Sequence, residues 1–218
     1  MATMAETRRD TWAAIDRYAP LSGVLAVIGW VVGISLLDVA DSEEEGAALL
    51  AVYKGDEGQI LFGGIIWLIG TALFVWFLGS LRSRLLAAEG GDGRLTAIAY
   101  GGGIATAVCL ALMPGAHMAG ALSNDEIDES AALALGAVGD AFFLGAEYLL
   151  PLLLVASAMI ALRYGGLPKW LAWLQILVAL VLLSGVIGWA ALIFAFPVWV
   201  LVTSYLLWRP GTVRMTVP

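Results

Sequence analysis

Cysteine, histidine and lysine are almost missing from this chain of 218 residues, and each shortage removes a class of chemistry. The one cysteine, Cys109, excludes an internal disulfide, and its place in an apolar run marks it as a buried, inert thiol. The one histidine, His117, excludes bis-histidine haem ligation, HExxH zinc sites and carboxylate-histidine di-iron sites within a single chain. The two lysines, Lys54 and Lys169, fall in loops or at a membrane edge, which leaves no mid-helix lysine for a retinal-type Schiff base. Charge is scarce as well: 13% of residues are charged, against about 25% in a soluble domain. Eleven basic residues face eighteen acidic ones, for a net charge of −7, so the basic stripe that a nucleic-acid partner requires is lacking. No cofactor is expected.

What the chain has in excess is apolar surface, with 61% hydrophobic residues and a mean hydropathy of +0.91. A helix crosses the roughly 30 Å hydrocarbon core of a bilayer with roughly 20 apolar residues. The windows that qualify are Leu21 to Leu37, Ile60 to Gly79, Leu95 to Met118, Ala141 to Leu162, Trp170 to Val186 and Ala190 to Trp208, the last two joined by a tight turn around Gly188. The expected fold is therefore all-α: one polytopic membrane domain over residues 1–218, with six transmembrane helices in a bundle. The first window begins after Arg8, Arg9 and Arg17, and no small-residue cleavage site follows it, so it reads as a span and not as a signal peptide.

Orientation comes from the loops, because Lys and Arg near span ends stay on the cytoplasmic side. With six spans, Arg8, Arg9, Arg17, Arg82, Arg84, Arg94, Arg163, Lys169, Arg209 and Arg214 fall on one side and Lys54 alone on the other. Both termini are then cytoplasmic, the N-terminal segment being 1–19 and the tail 209–218. The outer segments, 41–58 and 124–137, are acidic and amphipathic, carrying Asp41, Glu43, Glu44, Glu45, Asp56 and Glu57 in the first and Asp125, Glu126, Asp128 and Glu129 in the second. Trp76, Trp170, Trp173, Trp189 and Trp208 read as interfacial anchors, and Trp30, Trp67 and Trp199 as packing residues deeper in the bundle.

The run Glu45-Gly46-Ala47-Ala48-Leu49 returns as Glu129-Ser130-Ala131-Ala132-Leu133, and each copy is followed by a glycine-aspartate pair, Gly55-Asp56 and Gly139-Asp140. This reads as a parallel duplication of helices 2–3 and 4–5, each unit an outer amphipathic helix, a span, a basic loop and a returning span. Small residues at four-residue spacing, Gly29 with Gly33, Gly101 with Ala105, Gly103 with Ala107 and Ala111 with Gly115, are expected to let helices approach closely. Gly101-Gly102-Gly103 lies inside a span without a following lysine and has nothing in common with a phosphate loop.

One polar constellation lies within the apolar windows. Counting about 1.5 Å per residue back from Arg163 places Glu147 about 24 Å up the fourth span, in the outer half of the membrane. Asp140 then lies near the outer boundary, and His117, counted from Arg94, reaches a similar depth. Asp140 and Glu147 are seven residues apart on one helical face. Pro151 has no N–H to give the carbonyl of Glu147, and Pro114 and Pro197 likewise free the carbonyls of Leu110 and Ile193. An ionised carboxylate in hydrocarbon is costly, so Glu147 is expected to be protonated unless water or a cation reaches it. Two roles stay open for it: a proton- or cation-linked binding residue, or a neutral acid bonded to Tyr148, Thr106, Tyr100 or a backbone carbonyl. Glu147, Asp140, His117 and Tyr148 are thus the candidate ligand- or proton-binding residues; no catalytic or metal-ligating residue is expected.

The RYAP run at Arg17 to Pro20, the FLGSLRSRL run at Phe77 to Leu85 and the LPKWLAW run at Leu167 to Trp173 resemble an uncharacterised family of six-helix integral membrane proteins common in actinobacteria. The resemblance implies the six-span fold over nearly the whole chain and adds no catalytic residue. The preference for Ala, Gly and Arg over Lys suits a bacterial cytoplasmic (inner) membrane protein encoded by a GC-rich genome. Beside the lipid bilayer, the partners to expect are a small lipophilic or cationic ligand, or another membrane protein or a second copy of the chain. Three functions are compatible with these residues: a small transporter or binding protein, a non-catalytic subunit or scaffold of a larger membrane assembly, and an intramembrane enzyme. The third lacks a nucleophile, since Ser157 lies more than two turns deeper than Glu147 and off its stripe.

Overall fold

The computed structural model describes residues 17–37 and 45–209, and among these every regular element is helical. The elements are α1 (Ala19–Leu37, its first turn a 3-10 turn), α2 (Gly46–Gly55), α3 (Glu57–Glu89), α4 (Arg94–Leu122), α5 (Glu129–Arg163), α6 (Lys169–Leu182) and α7 (Gly188–Trp208). Arg8, Arg9, Asp41, Glu43, Glu44 and Arg214, with most of the N-terminal segment and of the tail, lie outside the described residues. Among the described residues five helices, α1, α3, α4, α5 and α7, are long and apolar enough to cross a membrane. The long helices pack in chain order, α1 on α3, α3 on α4, α4 on α5 and α5 on α6, and α7 closes the ring by packing on both α1 and α6.

Charge is sorted to the two ends of this ring. Arg84 Nε donates to the Gly166 carbonyl at 3.2 Å and the Arg82 guanidinium lies over the Tyr100 ring, so the end of α3, the start of α4 and the α5–α6 loop share the arginine-rich end. At the other end Asn124 Nδ2 donates to the Tyr53 carbonyl and to Glu57 Oε2, which binds the loop after α4 to the junction of α2 and α3. Between the ends, Leu25, Ile28, Ile65, Ile69, Val108, Leu152, Leu177 and Val198 face outward, as a lipid-facing belt requires. Trp76, Trp170, Trp173, Trp189 and Trp208 are partly or largely exposed, whereas Trp30, Trp67 and Trp199 are buried, in line with the expected division.

With lipid tails as apolar as leucine, helices gain by close van der Waals contact, which requires small residues where backbones meet. Gly29 and Gly33 of α1 face Gly70 and Gly63 of α3: a Cβ on Gly29 would stand 2.8 Å from Gly70 Cα, and one on Gly70 would stand 2.9 Å from the Ala26 carbonyl. On α4 the contact residues are Gly102, tight against Leu152 and Leu153, and Gly103 against Leu78. Gly103 and Ala107 are buried as expected, whereas Gly101 and Gly115, also expected at interfaces, have open space where a Cβ would be. Cys109 packs its Sγ against Gly145 of α5.

Side-chain donors then take up backbone acceptors across the same interfaces. Trp30 Nε1 donates to Thr71 Oγ1 at 3.0 Å, Thr71 Oγ1 donates to the Trp67 carbonyl, and Trp67 Nε1 donates to the Leu110 carbonyl at 2.6 Å. The Leu110 carbonyl is the one freed by Pro114. Before Pro197 the chain widens into a π-helical turn, Ala191–Ala195, in which the Phe196 N–H reaches the Ala191 carbonyl.

Three expected boundaries change. The fifth window does not continue to Val186: α6 ends at Leu182, where Ser184 Oγ and N–H both turn back to the Val181 carbonyl and Gly185 takes φ +68°. Gly188 is the first residue of α7 and not the centre of the turn. The second outer segment, 124–137, is not a separate amphipathic helix past residue 128. From Glu129 onward it forms the first turns of α5, because Ala132, Gly136 and Gly139 make a buried stripe that lets the helix run straight on against α2 and α4. The first segment does form its own helix, broken from α3 at Asp56, so the two halves of the expected duplication differ at their starts.

The glycine contacts give a test of the packing. Gly70→Val, which forces α1 and α3 apart, is expected to cost about 1–3 kcal/mol. Gly79→Ala, where nothing lies within 4 Å of the new carbon, is expected to add about 0.5–1 kcal/mol through helix propensity alone. Thermal unfolding of the purified protein followed by tryptophan emission measures both; equal effects would refute the interface.

Candidate functional site

At the acidic end α2 lies across the tops of α4 and α5 as a lid of nearly three turns. Its Leu49 and Tyr53 point inward into a small core with Leu37, Ile60, Ala121 and Ala132, while Ala47, Ala51 and Lys54 face out. The Tyr53 ring lies over Gly120, where no side chain fits beside it, and its hydroxyl hydrogen-bonds His117 Nδ1 at 3.1 Å. His117 is 4% exposed. Its Nε2 edge packs on Gly139, where a Cβ would stand 3.0 Å away, and the exposed Asp140 is the next residue of α5. Asn124, also buried, completes the corner by donating to the Ala121 carbonyl at 2.6 Å. Asp128 caps α5: it accepts from the Ala131 N–H and from Ser130 Oγ, and these bonds hold its pKa below the usual aspartate value. That capping contribution is complete above the ordinary aspartate range and is lost as the pH falls through the lowered value.

Glu147 lies seven residues beyond Asp140 on α5, about 10 Å deeper along the helix axis. It is 4% exposed and has no hydrogen-bond partner among the described residues. Its carboxyl group fills the space above the Cα of Gly188, the residue that opens α7. The Leu182 carbonyl, at the C-terminal end of α6, faces the same space, 2.7 Å from where a Cβ of residue 188 would stand. Two acceptor oxygens therefore converge on a glycine between the C-terminal end of α6 and the N-terminal end of α7, where the two helix dipoles oppose each other. An apolar pocket of about 270 Å³ lies one helical turn away on both partners: Phe143 precedes Glu147 by a turn, Leu192 follows Gly188 by a turn, and Trp30, Trp67, Leu110 and Phe196 are among its other walls.

The structure therefore sets His117 against Gly139, the residue before Asp140, and places Glu147 two turns deeper on α5. Of the partners considered for Glu147, Thr106 donates to the Gly102 carbonyl, Tyr100 lies under Arg82, and Tyr148 is exposed with its hydroxyl toward Gly185. Ser157 is occupied structurally, donating to the Leu153 carbonyl and accepting from Gln175 Nε2 at 2.9 Å. Tyr53, Asn124, Gly188 and the Leu182 carbonyl belong to the site and were not singled out by sequence. Tyr53 lies 64 residues from His117, and only its inward phase on α2 hints at a buried role. Compared with family models, curated proteins and solved structures, the chain has no significant match.

A double-mutant cycle tests the placement of the carboxyl group. Gly188→Ala is expected to lower the melting temperature, and in a Glu147→Ala background its cost is expected to fall by at least about 1 kcal/mol, as for residues in contact. Strictly additive effects would show that the two positions do not share this space.

Proposed function

We propose that the chain is a bacterial inner-membrane protein that crosses the bilayer six times with both termini cytoplasmic, and that it binds or carries a small lipophilic or cationic solute at Glu147. The positive-inside distribution supports the orientation. For the sixth crossing, the 14 residues of α6 span only about 21 Å. The exposed apolar turn with Leu183, Val186 and Ile187 extends that segment.

The observation that carries the site is the convergence of two oxygen acceptors, the Glu147 carboxyl and the Leu182 carbonyl, on Gly188, with no hydrogen bond made to the carboxyl among the described residues. Two acceptors in an apolar surrounding repel unless a proton or a cation stands between them. A protonated Glu147 donates to the Leu182 carbonyl and closes the α6–α7 turn. A cationic group entering the site replaces that proton and leaves the carboxylate paired. The neighbouring aromatic pocket suits the apolar part of such a solute, in keeping with the apolar lining and few polar groups of small-molecule sites.

Two measurements test this reading. With Cys109 replaced by Ser, single cysteines at positions 45 and 129 are expected to react with an impermeant maleimide added outside intact cells, and one at position 163 only after lysis; the opposite pattern overturns the topology. Native mass spectrometry of protein extracted into nanodiscs, wild type beside Glu147→Gln, is expected to show a retained small molecule that the variant loses. A bare chain in both forms, or a protein partner held equally by both, assigns the chain to a structural role and Glu147 to helix packing.

A further inference from the structure

At the arginine-rich end a crevice of about 790 Å³ opens between the start of α1, the end of α3 and the end of α7. Its polar wall is Ser80, Ser83 and Arg84; Trp76, Pro20 and Leu207 are among its apolar lining. Arg84 is half-buried and fixed in place, because its Nε is spent on the Gly166 carbonyl, which leaves the terminal guanidinium nitrogens for another acceptor. No carboxylate pairs with Arg84 among the described residues. The Ser83 hydroxyl donates to the Gly79 carbonyl, whereas Ser80 has no such intrahelical bond and keeps its proton for a ligand.

A second groove of about 510 Å³ shares Ala19 and Trp76 with the crevice and is lined by Leu21, Leu25 and Leu73. It runs from the helix ends toward the middle of the bundle, since Leu73 lies about 16 Å up α3 from Arg84, and Leu25 lies further along α1 than Ala19. The two spaces together have the form of an amphiphile: a polar compartment with a fixed cation at the membrane boundary and an apolar channel descending beside it. The surrounding end carries Arg17, Arg82, Arg94, Arg163, Lys169 and Arg209, so its field favours a ligand of net negative charge.

We propose that this crevice and groove bind one anionic phospholipid of the cytoplasmic leaflet, with the phosphate on Arg84 and Ser80 and an acyl chain along Leu21, Leu25 and Leu73. A guanidinium offers two parallel donors to phosphate oxygens, and Trp76 stands at the boundary where the glycerol backbone lies. The site is at the opposite end of the bundle from Glu147. It requires that the helices cross a bilayer and is independent of any solute at the carboxylate.

The test uses the full chain in nanodiscs of equal parts phosphatidylglycerol and phosphatidylcholine, followed by native mass spectrometry. Wild type is expected to retain one phosphatidylglycerol in preference to phosphatidylcholine. Arg84→Gln is expected to lower that retention at least about fivefold, the effect of losing a charge-assisted bond pair, while Arg82→Gln leaves it unchanged. Leu25→Trp, which obstructs the groove without touching Arg84, is expected to lower retention too, and it carries the test alone if Arg84→Gln does not fold. Equal retention of the two lipids, unchanged retention in Leu25→Trp, or displacement of the lipid by millimolar glycerol phosphate would each overturn the proposal, the last by showing a free-phosphate site. Loss of the Glu147 solute with the lipid still bound would leave it standing.

Discussion

The hydrogen bond from Trp67 Nε1 to the Leu110 carbonyl is the contact on which the other packing in one half of the bundle turns. A membrane core holds no water, so the carbonyl that Pro114 deprives of its helical partner has to be satisfied from inside the chain. Trp67 does so from α3, and its own carbonyl takes the Thr71 hydroxyl, which in turn receives Trp30 from α1. Three helices are thereby fixed in depth and rotation relative to one another. The same rotation aligns Gly29 and Gly33 with Gly70 and Gly63, so the polar relay and the close backbone contact depend on each other. Trp30, Phe74, Phe77, Phe196 and Trp199 then stack in tilted, edge-on and parallel pairs beneath the relay, and carry its order across to α7.

The other half of the ring is satisfied less fully. Among the described residues the side-chain polar atoms that are wholly enclosed and without a partner are Gln175 Oε1 on α6 and Trp199 Nε1, Thr203 Oγ1 and Ser204 Oγ on α7. Buried polar groups are paired in the great majority of cases, so four such atoms confined to two neighbouring helices are a marked local departure. The same two helices contain the shortest apolar segment, the π-helical turn and the Gly185 turn, and they meet at the Glu147 carboxyl. Glu147 thus stands where α5, which belongs to the well-satisfied core, faces the elements that are not.

Much of this architecture is legible in the amino-acid sequence because lipid imposes a coarse rule. Long apolar runs mark the helices, arginines collect at one end, and the buried tryptophans are those furthest from the run ends. The freed Leu110 carbonyl is legible too, since a proline at one position names its acceptor four residues earlier; the identity of its donor is not, because Trp67 is 43 residues away. Helix phase is the first thing lost. In an apolar helix every face is apolar, so Gly101 and Gly102 are indistinguishable by pattern although only Gly102 meets α5. Element ends are the second: Gly55-Asp56 breaks a helix and Gly139-Asp140 does not, the difference being that Gly139 lies against His117.

The candidate site divides along the same line. His117 meets α5 at Gly139, beside Asp140, because two antiparallel helices counted from their basic ends reach equal depth, an argument that needs only the rise per residue. The lid that covers them depends on a third element, α2, whose Tyr53 is specified by long-range packing on Gly120. For Glu147 depth was enough to place the residue inside the membrane, but its surroundings are backbone: a glycine without a side chain and a carbonyl at a helix end. Neither has a side-chain signature, so the sequence names Tyr148, Thr106 and Tyr100 as side-chain partners and a backbone carbonyl only as a class, without its residue. The physical consequence is that the environment of this carboxyl group is set by where α6 stops. Ser184 and Gly185 end that helix one turn short of the expected span, and by ending it there they turn the Leu182 carbonyl toward Glu147, the one buried acid among the described residues.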